Sequence, residues 1–357
     1  MEFFVDYGLF LAKTVTALMA IGLLISMIVN ASQKNRQGGD KGHLEITKLN
    51  RQYEEMSEAV QLAMLDESAQ KAESKKLQKE KKKRAKALKK AASKSDTEQP
   101  EAAPEKRVFV VKFNGNLSAS AVTNLREEIT AILTQAGTSD EVVVRLESAG
   151  GMVHSYGLAS SQLDRLRKQN IPLTICVDKV AASGGYMMAC VADKILAAPF
   201  AILGSVGVVA QMPNFNRLLK KHNVDFEVLT AGEHKRTLTV FGENTEKGRE
   251  KFIEDLEETH LLFKSYVAER RPQVDIEKIA TGEVWYGAHA LDLALVDELK
   301  TSDEYLMQLV KEAEVYELAY IHKKKLHQRL GIAAEESADR LLVRWWNRLT
   351  QQSNKQF

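Results

Sequence analysis

An α/β fold of βαβ units, carried behind an N-terminal transmembrane helix and a charged helical stalk, is what this sequence predicts. Three observations lead there. Residues Leu9 to Val29 are apolar apart from Lys13, Thr14, Thr16 and Ser26. Residues 31 to 95 contain no proline and are dense in lysine. From Arg107 onward, apolar runs of strand length alternate with amphipathic stretches of helix length, the pattern of a sheet with helices packed on it.

Composition sets the outer bounds. A chain of 357 residues has room for two domains, or for one large domain with appendages. Fifty Lys and Arg against 48 Asp and Glu leave a net charge of +2, so there is no global signal for a polyanionic partner and no nucleic acid is expected. Cys176 and Cys190 sit inside apolar runs and read as buried small hydrophobes. They support neither a disulfide framework nor a metal site.

The first segment, 1–30, is read as an uncleaved single-pass anchor in contact with membrane lipid. About 21 residues at ~1.5 Å each reach ~30 Å, the thickness of a bilayer core. Glu2 and Asp6 replace the positive charge that would open a signal peptide. The second segment, 31–106, is a helical stalk with a rough apolar stripe through Leu44, Leu49, Tyr53, Met56, Val60 and Met64. Between Lys75 and Lys94 it becomes a basic block against Glu80 alone. No aromatic residue interleaves these charges, which favours a solvated stalk over a surface that binds anionic lipid or nucleic acid. By composition, Ala91 to Lys106 is a disordered linker.

The third segment, 107–325, carries the alternation. Val108–Phe113, Glu141–Leu146 and Pro172–Val177 read as strands, and Ser118–Gln135 and Met152–Lys168 as helices, the first capped by Ser118 or Ser120. The apolar run from Tyr186 to Met212 is interrupted by Asp193, Lys194 and Pro199. A hairpin of Lys194–Ala198 and Ile202–Val209 explains it better than a second membrane span. Pro213–His222 reads as a helix, Val224–Leu229 as a strand, and Thr245–Arg271 as a long charged helix followed by two shorter ones up to Leu299. The fourth segment, 326–357, is an amphipathic helix with Leu341, Leu342, Trp345, Trp346 and Leu349 on one face, suited to a membrane interface or to another subunit.

The chemistry centres on Val180-Ala181-Ala182-Ser183-Gly184-Gly185-Tyr186. A hydroxyl between small residues, after a strand and before a helix, is how a nucleophilic serine is presented beside free backbone N–H groups. A plain helix cap explains the same residue. A nucleophile needs a base. The downstream histidines His222, His260, His289, His322 and His327 lie in helices or in a basic tail, which leaves His234 and its neighbour Lys235 in a polar loop. A lysine base must be neutral, which requires burial to bring its pKa from ~10.4 to roughly 7–8. Gly150-Gly151 after a strand lets the backbone approach a substrate closely. With the N–H of Gly184 it makes a two-donor oxyanion hole.

Glu147-Ser148-Ala149-Gly150-Gly151, Ala181–Tyr186, Gly204-Ser205-Val206-Gly207-Val208 and Gly232–Arg236 occur in that order and spacing. Together, over roughly Val108 to Leu299, they resemble the signal peptide peptidase A family of membrane-anchored serine proteases. The resemblance implies a ClpP/crotonase-like catalytic domain assembled as a ring-shaped homo-oligomer, acting on peptide or protein substrates without cofactor or metal. It implies Ser183 as nucleophile, Lys235 as general base, Gly151 and Gly184 as the oxyanion hole, and Ser205 as the residue that orients Lys235. Two departures stand out: the family's Asn-Ser-Pro-Gly-Gly is Glu147-Ser148-Ala149-Gly150-Gly151 here, and the glycine usual before Leu-Val-Asp is Ala294, read as a packing change. A bacterial inner-membrane location follows. The positive-inside rule puts the catalytic domain in the cytoplasm, and the resemblance puts it outside. Two rival functions use other features: a crotonase-like acyl-CoA enzyme needs neither Ser183 nor Lys235, and a membrane scaffold needs only the stalk and the C-terminal helix.

Overall fold

The computed structural model describes residues 42–92 and 106–322. A main body comprises residues 45–319, and residues 42–44 and 320–322 belong to a second unit. The anchor, the 93–105 part of the linker and the C-terminal helix expected from the sequence lie outside the described residues. Among the described residues no helix is long and apolar enough to cross a membrane.

The centre of the sheet is built from short β-rich runs buried on both faces. Strands β2 (Arg107–Gly115) and β3 (Glu141–Ser148) pair in parallel from Val108–Glu141 to Gly115–Ser148. β4 (Leu173–Val177) and β6 (Lys194–Ala197) extend the sheet on one side and β10 (Glu314–Ile321) on the other, all parallel. The path runs β1–β10–β2–β3–β4–β6–β9, with β1 (His43–Lys48) and β9 (Glu298–Leu299) at its ends. A branch leaves this path where the site forms. There β5 (Val180–Ala182) pairs with Ser148 of β3 and with β7 (Ile202–Gly204), which pairs antiparallel with β8 (Val284–Tyr286).

Strand alternation divides the core between two faces. Val108, Val110, Val143, Cys176, Leu196 and Val315 pack with Leu49 of α1 (Leu49–Ala63) and with Leu306 and Leu309 of α10 (Ser302–Glu312). On the other face Val111, Phe113, Val142 and Val144 are buried beneath α3 (Val122–Leu133), α4 (Val153–Lys168) and α5 (Gly184–Ala189). Cys176 and Cys190 are buried free thiols, as expected, and burial pushes both up to about 12.

Asp140 locks the start of β2 to that of β3. Its buried carboxylate accepts the Gly137 N–H at 2.8 Å, the Arg107 N–H at 3.1 Å and the Arg107 guanidinium at 2.7 Å. Burial pushes its pKa up, and the hydrogen bonds from Arg107 and Gly137 outweigh that, so it lies below the ordinary carboxylate value. A folded-state pKa below the unfolded one contributes stability above the unfolded pKa of about 3.9 and loses it as pH falls through the folded value. Asp140→Asn should therefore lower unfolding stability by about 1–3 kcal/mol at neutral pH. In urea titrations its gap from the parent should shrink below about pH 4.

Several elements differ from the sequence reading. Residues 43–48 are a strand rather than stalk helix, and the stalk breaks at residues 64–66 between α1 and α2 (Glu67–Ala92). The α1 part belongs to the main body, with Leu49 packed against Leu306, Leu309 and Val315. The Asn50 amide donates to Val310 O and Ala313 O, and its oxygen accepts the Val315 N–H. The expected Ser118 or Ser120 cap is absent: Ala121 holds the N-cap position of α3 without a side-chain capping bond, and Asn116 accepts the Ser120 N–H at 2.9 Å in the turn before the helix. The expected hairpin does not form either. β6 satisfies its backbone with β4 and β9, and β7 with β5 and β8, so Pro199 marks a crossing between two parts of the sheet. Val224–Leu229 is no strand, for its alternating Val224, Phe226 and Val228 are exposed with no neighbouring ladder to join. Ala294 sits at φ +57, so its replacement of a glycine is a matter of backbone strain rather than of packing.

Candidate active site

Ser183 stands where the β5 strand turns into α5. Its φ of +52° and ψ of −119° lie in a region that L residues with a side chain rarely occupy. The conformation is held from three sides: the Ser183 N–H donates to Gly204 O at 2.8 Å, the Ser183 carbonyl accepts the Met187 N–H at 2.9 Å, and Ala182 is in register with Gly204. As N-cap of α5 the residue makes no side-chain capping bond. The hydroxyl is not consumed by the local structure.

Gly150 and Gly151 face it from the end of β3. At Gly150, with φ +91°, a Cβ would lie 2.8 Å from Ala182 O, Gly184 N and Ser183 Cβ. At Gly151 it would lie 2.1 Å from Leu117 O. Only glycines let these two backbones approach so closely. The loop is buttressed from below. Tyr156 Oη lies 2.6 Å from Ser148 Oγ and donates to Asn116 O at 2.8 Å, while Ser148 Oγ accepts the Gly150 N–H at 3.1 Å. Tyr156 is fully buried, and that burial pushes its phenol up. Glu147, the added charge of this loop, is paired with Lys179 Nζ at 3.1 Å.

Ser183, Gly151 and Gly184 thus line one small cleft, completed by Val153, Met187, Gly207, Val208, Thr259 and Phe263. Thr259 and Phe263 come from α7 (Glu246–Arg270), and their part in the cleft had no sequence signal because α7 follows Ser183 by some sixty residues. Ser205 follows Gly204 at φ +54°, one step beyond the Ala182–Gly204 pair, with its N–H on Glu283 O at 2.6 Å. The register places it beside Ser183.

Lys235 is not in that cleft. It lies on an exposed loop, where its N–H donates to Gly232 O at 3.2 Å, and among the described residues no hydrogen bond joins it to Ser183 or Ser205. His234 is exposed as well, with Nε2 3.9 Å from a Glu233 carboxylate oxygen. Two histidines adjoin cleft residues in sequence, His154 beside Val153 and His260 beside Thr259, and His260 Nε2 lies 3.3 Å from Val206 O.

The "Peptidase family S49 N-terminal" model matches residues 2–163 and the "Peptidase family S49" model residues 165–316. A protein of Haemophilus influenzae described as "Probable protease SohB" is 49% identical over 339 residues, 95% of each chain. Another of that description, from Buchnera aphidicola of Schlechtendalia chinensis, is 48% identical over 311 residues, 86% of this chain and 99% of its own. Among solved structures, a mutant of the 1510-N membrane-bound stomatin-specific protease in complex with a substrate peptide is 14% identical with a TM-score of 0.40, covering 64% of this chain and 98% of its own. On both family models and near-half identity along almost the whole length, the chain belongs to peptidase family S49, and with it to the proteases.

Proposed function

We propose that the chain is a membrane-anchored serine endopeptidase working through an acyl-enzyme on a Ser183–Lys235 dyad, with signal-peptide remnants or membrane-proximal polypeptides as substrates. The carrying observation is the strained, unconsumed Ser183 facing the two glycine backbones. In the reading, neutral Lys235 Nζ takes the Ser183 Oγ proton as the oxygen attacks the scissile carbonyl. The oxyanion accepts from the N–H groups of Gly151 and Gly184, a pair of donors each worth roughly 100- to 1000-fold in rate. The ammonium then gives its proton to the leaving amine. Water, deprotonated by Lys235, hydrolyses the ester and restores Ser183. Ser205, beside Ser183, accepts or donates a hydrogen bond that orients Nζ.

The dyad requires Lys235 to reach Ser183 and to lose water. The segment that carries it supports burial by other chains. Phe215, Phe226 and Phe241 stack at centroid separations of 6.0 and 5.5 Å yet remain 41–47% exposed, and Leu229 is 89% exposed. Apolar surface on this scale is characteristic of an interaction face, which favours a homo-oligomer. The test is a fluorophosphonate probe on the purified full chain, read by peptide mapping alongside hydrolysis of an unfolded protein. A single adduct on Ser183 with loss of hydrolysis is expected. Hydrolysis that survives full modification, or an adduct elsewhere, overturns the proposal. Tight coenzyme A binding without an adduct would favour the acyl-CoA reading.

A further inference from the structure

We infer that one face of α2 is a docking surface for anionic lipid headgroups. The helix carries eleven Lys or Arg against three Glu over 26 residues, a net of +8. Lys71, Lys75, Lys79, Lys82 and Lys86 are all exposed, and their spacing of four, four, three and four puts them in one row. At ~1.5 Å per residue the row is about 22 Å long.

The charge is not balanced within the helix. The Glu73 carboxylate pairs with Lys76 at 3.3 Å, off the row, and none of the five row lysines has an ion pair with a described side chain. Like charges at i and i+4 destabilise a helix, so Lys71–Lys75, Lys75–Lys79 and Lys82–Lys86 all work against α2 in isolation. The other long helix, α7, is patterned in the opposite way. It holds seven acids and five bases, with Lys251 held by Glu254 and Asp255 at 2.9 and 3.0 Å. A mere spacer gains nothing from a self-repelling row, whereas a row facing fixed negative charge is stabilised by it.

Three features select lipid over nucleic acid. Ten of the eleven bases are Lys, a point charge suited to a diffuse anionic surface, where Arg supplies the bidentate fork for phosphodiester recognition. No aromatic residue lies on α2 to stack on a base. The row is also a single straight line, and the apolar segment Leu9–Val29 precedes it in the same chain. Clusters of four to eight lysines on one helix face are attracted to anionic leaflets, and this row begins some forty residues beyond that segment.

The experiment is amine-reactive labelling of the full chain, with site-resolved mass spectrometry, in vesicles of phosphatidylcholine and in vesicles with roughly 30 mol% phosphatidylglycerol. We expect Lys71, Lys75, Lys79, Lys82 and Lys86 to label at least about threefold more slowly on the anionic vesicles at low salt. That protection should vanish near 0.5 M salt, where charges are screened within a few ångströms. Lys220 and Lys247, exposed elsewhere, serve as internal references. The reading is labelling rather than capture, so insertion of an apolar segment into both vesicles does not decide the outcome. Equal labelling on the two lipids overturns the inference. So does protection by duplex DNA that exceeds protection by the anionic vesicle. The variant Lys75→Gln, Lys79→Gln, Lys82→Gln, Lys86→Gln keeps helix propensity. It should lose the protection at Lys71, the row lysine it leaves in place, while peptide hydrolysis in detergent stays unchanged, which separates this surface from the active site.

Discussion

Ser183→Gly should abolish peptide hydrolysis, by on the order of 10⁶ in kcat if the residue is the nucleophile, and should leave the protein at least as stable as its parent. Loss of activity alone is weak support, because many substitutions unfold a site. The stability half carries the argument. Ser183 holds φ +52° and ψ −119°, a conformation costing of order 1–3 kcal/mol for a residue with a side chain, and its hydroxyl makes no capping bond that would offset that cost. Glycine adopts the same backbone freely. A structural serine would be lost at a cost in stability, and a serine kept for chemistry is lost at a gain. Urea unfolding and hydrolysis, measured on the same preparation, check both halves. A Ser183→Gly protein that is inactive and clearly less stable would mean that the residue is there to build the turn. Ser183→Ala serves as the companion: it keeps the strain, so it should be inactive with stability close to the parent.

The same residue shows how far the sequence could be read. The turn at Ser183, the glycine pair at 150–151 and the strands before each were visible because they depend on neighbours in the chain: alternation, small residues and turn chemistry. Their convergence follows from one register, with Ser148 opposite Ala181 and Ala182 opposite Gly204. What was missed depends on partners far along the chain. Lys194–Ala197 and Ile202–Gly204 are close in sequence, which suggested a hairpin, yet each finds better partners elsewhere. Val224–Leu229 has a strand's alternation and no ladder to join. Phe263 and Thr259 look like any other positions of a charged helix, and only packing brings them to the cleft. Asn50 looked like stalk and proves to be bonded to three backbone groups around residues 310–315.

Lys235→Arg is the substitution that separates a base from a charge. Lys235→Ala should lower kcat by at least 10²–10⁴, the usual contribution of a general base, but so would loss of a cation that merely orients substrate. Arginine keeps the cation and the reach, and it cannot serve as a base because it stays protonated above pH 12. If Lys235 accepts the Ser183 proton, Lys235→Arg is as inactive as Lys235→Ala. An Arg variant that recovers most of the activity removes the dyad. Loss on His234→Ala, with Lys235→Ala still active, transfers the role to the histidine. The exposure of Lys235 adds a physical condition to this prediction. A lysine base working near neutral pH has to be shielded from water, and Lys235 is exposed here. Activity should therefore track the state in which the Phe215–Phe241 surface is covered. Where size measurements find dissociated chains, hydrolysis should be absent, and mixing inactive Ser183→Ala with inactive Lys235→Ala tests whether the covering copy also supplies the base. Recovered hydrolysis in the mixture means one chain's lysine serves another chain's serine. No recovery, with assembly intact, means the loop carrying Lys235 closes over its own Ser183.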